Sequence, residues 1–225
     1  GGKEVKPGEI TLAHNGVLFL DEILEFKKEV LECLREPLEQ KNVNITRLCG
    51  SYTMPADFLL VAAFNPGERR DINTYEDDFY ELNAYTDKYI KKFSSALLDR
   101  IDILQYVPRI KYEEISGKYD SYNSKIMREN VIKARIMQEK ILKGTEYKYN
   151  SDIQGKDIFQ LCRVNKQCKK ILEYYYKKSN VSLRGYGKVL KLARTIADRE
   201  GNKDIIEENL LEAFSYRKNI NGEVI

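Results

Sequence analysis

Two apolar runs interrupt an otherwise mixed chain: Val17-Leu18-Phe19-Leu20 and Phe58-Leu59-Leu60-Val61-Ala62-Ala63-Phe64. Runs of this length without polar interruption predict strands buried on both faces, as in parallel α/β sheets. Residues 1–15, rich in Gly, Pro and Lys at their start, predict a loop leading into the first strand. Between the runs, Val30, Leu31, Leu34 and Leu38 recur at helical spacing over 27–39, and Pro37 distorts that helix or ends it early. Val43-Asn44-Ile45-Thr46-Arg47 and Ser51-Tyr52-Thr53-Met54 flank Leu48-Cys49-Gly50, which predicts a β-hairpin with Arg47 near its tip. Residues 68–92 are polar and rich in tyrosine (Tyr75, Tyr80, Tyr85, Tyr89) and read as an insertion, either a long loop or a short helix. A short helix over 93–100 and a third strand over 101–107, ended by Pro108, complete this half.

Beyond Lys111 the period becomes helical throughout. A long charged helix spans 121–142, a polar linker follows at 144–150, and helices are predicted at about 155–163, 166–178, 182–200 and 204–217, separated by Asn or Gly. The pattern is α/β followed by all-α. It divides into an α/β core portion (1–110), a connecting helix and linker (111–150) and a helical domain (151–225).

Composition narrows the classes. Of 225 residues, 42% are hydrophobic and 32% charged, which suits a globular chain with a heavily charged surface. The net charge of +3 does not by itself announce a nucleic-acid binder, so any basic footprint must be local. No apolar run approaches the ~20 residues that span a bilayer, and residues 1–8 lack the basic end and apolar core of a signal peptide. Cys33, Cys49, Cys162 and Cys168 are scattered, with no Cys-x-x-Cys pair. They fit free thiols in a reducing cytoplasm better than a disulfide frame or a zinc site. His14 is the single histidine, which excludes a histidine-rich metal centre, and a structural role is expected for it.

The candidate chemistry sits where the strands stop. In parallel sheets, ligand-handling groups lie at the carboxyl ends of strands, where Asp21 and Glu22 follow the first run. In a nucleoside triphosphatase the first such acid holds Mg²⁺ and the second polarises the attacking water. The same two acids also suit the first turn of a helix, and on this stretch alone both readings stand. Asn65, closing the second run, can orient a water or reach a terminal phosphate, while Asn65-Pro66-Gly67 is also ordinary turn chemistry.

Taken together, the blocks resemble the magnesium-chelatase-like AAA+ ATPases of the competence and branch-migration helicase type. The residues that carry the resemblance run from Lys6 through Asp21-Glu22. They continue in Leu34-Arg35-Glu36-Pro37-Leu38-Glu39, Leu60-Val61-Ala62-Ala63-Phe64-Asn65-Pro66 and Leu97-Leu98-Asp99-Arg100-Ile101-Asp102. Ala193-Arg194-Thr195-Ile196-Ala197-Asp198 and Glu212-Ala213-Phe214-Ser215-Tyr216-Arg217 resemble the family's helical lid. The resemblance implies a partial AAA+ P-loop NTPase core with a C-terminal helical lid, using ATP and Mg²⁺. It implies Asp21 as the Walker B acid supporting Mg²⁺, Glu22 as the base, Asn65 as the sensor that orients the water, and Arg100 as an arginine finger reaching a neighbour's nucleotide. Arg184 resembles the second sensor, on the lid. The 43–55 hairpin resembles one that points into the pore of related rings. There Lys41 and Arg47 are candidate DNA contacts, or simply solvated charges.

The implied whole is a homo-oligomeric ring, expected to be a hexamer, driving a motor on DNA in natural transformation and branch migration, with no membrane partner. Two alternatives remain: a chelatase-type ATPase that remodels a metal-insertion partner, and a catalytically inactive assembly module. The sequence departs from the family in two places. It contains no Gly-x-x-x-x-Gly-Lys-Ser/Thr, so it reads as the part that follows the P-loop and is expected to bind ATP poorly alone. After Asn65-Pro66 it has Gly67-Glu68-Arg69-Arg70 in place of the cysteine-rich segment of some relatives, which leaves a metal site there unsupported.

Overall fold

The computed structural model describes residues 5–47, 50–65, 93–105, 107, 123–178 and 182–217. The expected insertion at 68–92, Cys49 and the 48–49 hairpin tip lie outside the described residues. Chain contacts define two compact units, Gly1–Ile101 and Asp102–Ile225.

The first unit contains α1 (Glu9–Leu12), β1 (Val17–Leu20), α2 (Lys28–Glu32), α3 (Arg35–Gln40), β2 (Asn42–Arg47), β3 (Gly50–Pro55), β4 (Leu59–Ala62) and α4 (Ser95–Leu98), with a 3-10 turn at Ile23–Glu25. The two apolar runs become β1 and β4, paired in parallel from Val17 opposite Leu59 to Leu20 opposite Ala62. The hairpin forms as expected, with β2 antiparallel to β3 and Arg47 opposite Gly50 beside the tip. A single helical turn, α1, occupies part of the expected N-terminal loop.

The helix expected over 27–39 is two short helices broken at Cys33-Leu34. Pro37 accounts for the position of the break. It has no N–H to give the Cys33 carbonyl, and its ring crowds that carbonyl. As the third residue of α3, however, its missing donor is one the helix start leaves unused anyway.

Two expectations fail. β1 and β4 are not buried on both faces: Val17, Phe19, Leu59 and Val61 are 57%, 58%, 62% and 40% exposed. Side chains alternate across a strand. Leu18 and Leu20 pack on the core of Ile23, Leu24, Leu31, Leu34 and Leu97, and the opposite face is left open. Residues 101–105 form no strand. A strand needs a neighbour for its ladder, and the Leu104 amide instead donates to the Tyr216 carbonyl at 2.8 Å within the second unit.

The second unit is helical: α5 (Ser124–Leu142), α6 (Asp157–Leu161), α7 (Lys166–Lys178), α8 (Leu183–Glu200) and α9 (Glu207–Ser215), with a 3-10 turn at Asn150–Asp152. Asn123 caps α5 by accepting the Ile126 amide at 3.0 Å. Ser182 caps α8 through the Gly185 amide at 3.0 Å, and Gly201 at φ 79° ends it. α8 is the central helix, packing against both α5 and α9 through Val189, Leu190, Ala193, Ile196 and Ala197. Gly187 permits the close approach of α6, since a Cβ there would meet Ile158 Cδ1 at 3.1 Å. Tyr175 stacks on Phe214 with ring centroids 4.0 Å apart.

A polar network lies inside this apolar shell. Arg194 and Asp198 are each 1% exposed and pair at 2.9 Å. Arg194 also donates to the carbonyls of Lys203 at 2.8 Å and Asn202 at 2.5 Å, while the Asn150 amide reaches Asp198 at 2.7 Å. The Asn150 backbone N–H donates to Gln138 at 2.6 Å, so α5, the 3-10 turn, α8 and the following loop share one network. Cys33 is exposed, whereas Cys162 and Cys168 are buried free thiols. Burial pushes the Cys162 thiol up to about 12 and raises that of Cys168.

Removing one partner of a buried ion pair strands the other charge, at a cost of about 3–5 kcal/mol. Asp198→Ala is therefore expected to lower the urea stability of the helical unit by that amount, and a loss under about 1 kcal/mol would show that the pair is not structural. Native-state alkylation with peptide mapping is expected to modify Cys33 and to spare Cys162 and Cys168 until denaturant is added.

Candidate functional site

The site is organised by the way the β1–β4 ladder ends. The Ala63 amide donates to the Leu20 carbonyl at 2.9 Å, continuing the parallel pairing. The regular next bond would run from the Glu22 amide to the Ala63 carbonyl. Instead the Ile23 amide makes it, at 3.0 Å, and the Glu22 amide turns to the Asp21 carboxylate at 2.9 Å. The strand thus gains one extra residue, a bulge of the kind that re-aims side chains at the end of a ladder. Glu22 absorbs the change by adopting the left-handed region, φ 48° and ψ 44°, a conformation that costs a non-glycine residue about 1–2 kcal/mol. Ile23 and Leu24 then enter the core at 2% and 4% exposure.

The slip leaves Asp21 and Glu22 exposed at the carboxyl end of β1. Because β1 and β4 are parallel, the carboxyl end of β4 is at the same edge, and exposed Asn65 follows it by three residues. The structure therefore brings Asp21, Glu22 and Asn65 to one edge of one sheet. Glu22 precedes the 3-10 turn without a side-chain cap, and the residue before α2 is Lys27.

Arg100 belongs to the same unit. Its Nε donates to the Arg35 carbonyl at 3.0 Å and its Nη1 to the Ala96 carbonyl at 2.5 Å. Its Nη2 pairs with the Glu39 carboxylate. The side chain is 13% exposed.

Lys41 and Arg47 are not brought together. They stand at opposite ends of β2, a strand rising about 3.4 Å per residue. Lys41 ends α3 in the left-handed region and pairs with Asp57 at 3.2 Å. His14 Nδ1 accepts the Asp57 amide at 3.1 Å.

In the helical unit Arg184 is the exposed second residue of α8. One turn on, the half-buried Lys188 pairs with Asp102 at 2.7 Å. Burial holds the Lys188 ammonium below the usual lysine range, with Asp102 opposing the shift. The Asp102 carbonyl also accepts from Arg217 Nη1 at 3.3 Å. Sequence reasoning missed the partnerships of Glu39 and Lys188, because each joins residues far apart in the chain and no local spacing marks them.

The acid pair and the amide thus follow the carboxyl ends of two parallel strands, the place where ligand-handling groups lie in such sheets. Residues 1–115 match the family described as magnesium chelatase, subunit ChlI, and residues 121–217 match the C-terminal region of that subunit. The chain belongs to this family. It is 36% identical over 218 residues to a protein of Haemophilus influenzae named competence protein ComM. It is 34% identical over 223 residues to the YifB protein of Escherichia coli, described as uncharacterized. A Mycobacterium tuberculosis protein, Rv2897c, also described as uncharacterized, is 28% identical over 218 residues. These alignments take in 96–97% of the chain but only 42–43% of each relative. Among the described residues, no helix is long and apolar enough to cross a membrane.

Relief of the left-handed backbone at the acid pair is measurable. Glu22→Gly is expected to raise the urea stability of the first unit by up to about 1 kcal/mol, since glycine adopts positive φ without a Cβ penalty. A fall in the urea midpoint would show that Glu22 carries no strain.

Proposed function

We propose that this chain supplies the hydrolysing half of an ATPase site, in a complete protein that works as an ATP-driven ring motor on DNA. The observation that carries the reading is the parallel register that sets Asp21, Glu22 and Asn65 at one sheet edge. The half that grips the phosphates is a P-loop segment upstream, and the open apolar face of Val17, Phe19, Leu59 and Val61 is the surface such a segment would cover.

The donor set fits Mg²⁺ bound together with a nucleotide, which takes one or two carboxylates beside phosphates and waters. Asp21 is exposed and steadied by the Glu22 amide. Asp21 would hold the Mg²⁺, which would supply charge neutralisation at the phosphates of a bound ATP. Glu22 then takes the proton of the attacking water, and the Asn65 amide orients that water. Arg100 acts in trans, neutralising charge that develops on a neighbour's nucleotide. Arg184 sits in the first turn of α8, where the exposed amides of a helix start already favour an anion. A cation there opposes the helix dipole in the empty state, and a phosphate would relieve that opposition. The ring is a homo-hexamer in this reading, cytoplasmic, with Arg47 and Lys41 as candidate DNA contacts.

The name competence protein borne by the Haemophilus relative favours DNA as the substrate. The family description, magnesium chelatase subunit, favours the second reading, remodelling of a metal-insertion partner. The test is ATP turnover by the complete protein with and without single-stranded or branched DNA. DNA is expected to stimulate turnover, and its failure to do so would favour the second reading. Glu22→Gln is expected to cut turnover about 10²–10⁴-fold while nucleotide binding is retained. Unchanged turnover would remove Glu22 from the site.

A further inference from the structure

Arg100 carries five N–H donors in a planar fork, and each of its three nitrogens has an acceptor inside its own unit. Two acceptors are backbone carbonyls, of Arg35 in α3 and Ala96 in α4. The Ala96 carbonyl is one that the short helix α4 leaves without a helical donor, so Arg100 completes that helix end. The third acceptor differs in kind. Glu39 is an anion, and its side chain is 42% exposed where that of Arg100 is 13%. Solvent therefore reaches the pair from the Glu39 side.

An arginine that acts in trans must present part of its guanidinium to a phosphate on another copy. Here Nε and Nη1 can keep their carbonyls throughout, and only Nη2 must exchange one anionic partner for another. A charge-assisted hydrogen bond is lost and one of the same kind is gained. We propose that Glu39 is a positioning residue that sheathes Arg100, holding its outer nitrogen in cis until a phosphate offered by a neighbouring copy displaces the carboxylate. Finger engagement is thereby tied to assembly: an isolated copy keeps its arginine neutralised, and a loaded neighbour draws it out. The inference rests on the reading of Arg100 as a finger acting in trans.

The test uses the complete protein and measures ATP turnover as a function of protein concentration, with thermal midpoints recorded alongside. Glu39→Gln keeps the side-chain shape and removes the charge. It is expected to lower the protein concentration of half-maximal turnover by about twofold to fivefold, the worth of a half-exposed ion pair. Turnover at saturating concentration is expected to stay within about twofold of the parent. Glu39→Asp, which keeps the charge but shortens the reach, is expected to shift the curve in the same direction and serves if the Gln variant folds poorly. Arg100→Ala is expected to cut saturated turnover by about 10³-fold or more.

If Arg100→Ala abolishes turnover while neither Glu39 variant moves the concentration curve, the sheath is overturned and the finger stands. Glu39 variants that lower saturated turnover or shift the curve upward make Glu39 a scaffold residue, and the sheath is again overturned. If Arg100→Ala leaves turnover unchanged, the finger reading falls and takes the sheath with it.

Discussion

The candidate site depends on a single backbone exchange. If the Glu22 amide made the regular bond to Ala63, β1 would run on as an ordinary strand, with its two acids on alternate faces of the sheet. Giving that bond to Ile23 inserts one residue, exposes Asp21 and Glu22 together, and delivers Ile23 and Leu24 to the core. The left-handed Glu22 is the local cost, and the buried pair that follows holds it in place. Strain of this kind persists where the surrounding structure over-determines it, and such positions cluster at functional sites. Core and site are therefore coupled here: the anchorage of Ile23 and Leu24 maintains the geometry of the acids.

Much of this was legible in the residues. Continuous apolar runs identified β1 and β4, and alternation about Gly50 identified the hairpin. Helical periodicity with Asn123, Ser182 and Gly201 as punctuation located α5 and α8. These signals are local, and the physics that reads them is local too. The slip at Glu22 was not legible, because it depends on which of two neighbouring amides meets a carbonyl some 40 positions later. The exposure of Val17 and Phe19 was not legible either, since an apolar run records what a strand can bury and does not specify what covers it. Residues 101–105 look strand-like by composition, yet they gain an acceptor at Tyr216 in place of a ladder.

Three arginines quoted in the same resemblance show how structure separates roles that sequence leaves alike. Arg194 is closed on every side, with Asp198 and two loop carbonyls as partners and 1% of its side chain exposed. Its charge is fully committed, and its work is to hold α8 to its surroundings. Arg184 differs in exposure, lying at the surface in the first turn of a helix whose dipole disfavours a cation. Arg100 lies between the two, with two carbonyls that fix its direction and one carboxylate at the solvent edge. A cation bound only by buried partners cannot take part in chemistry without local unfolding. A guanidinium held by two neutral acceptors and one exchangeable anion is aimed and still able to change partner. Among the described arginines of the first unit, Arg100 shows that combination.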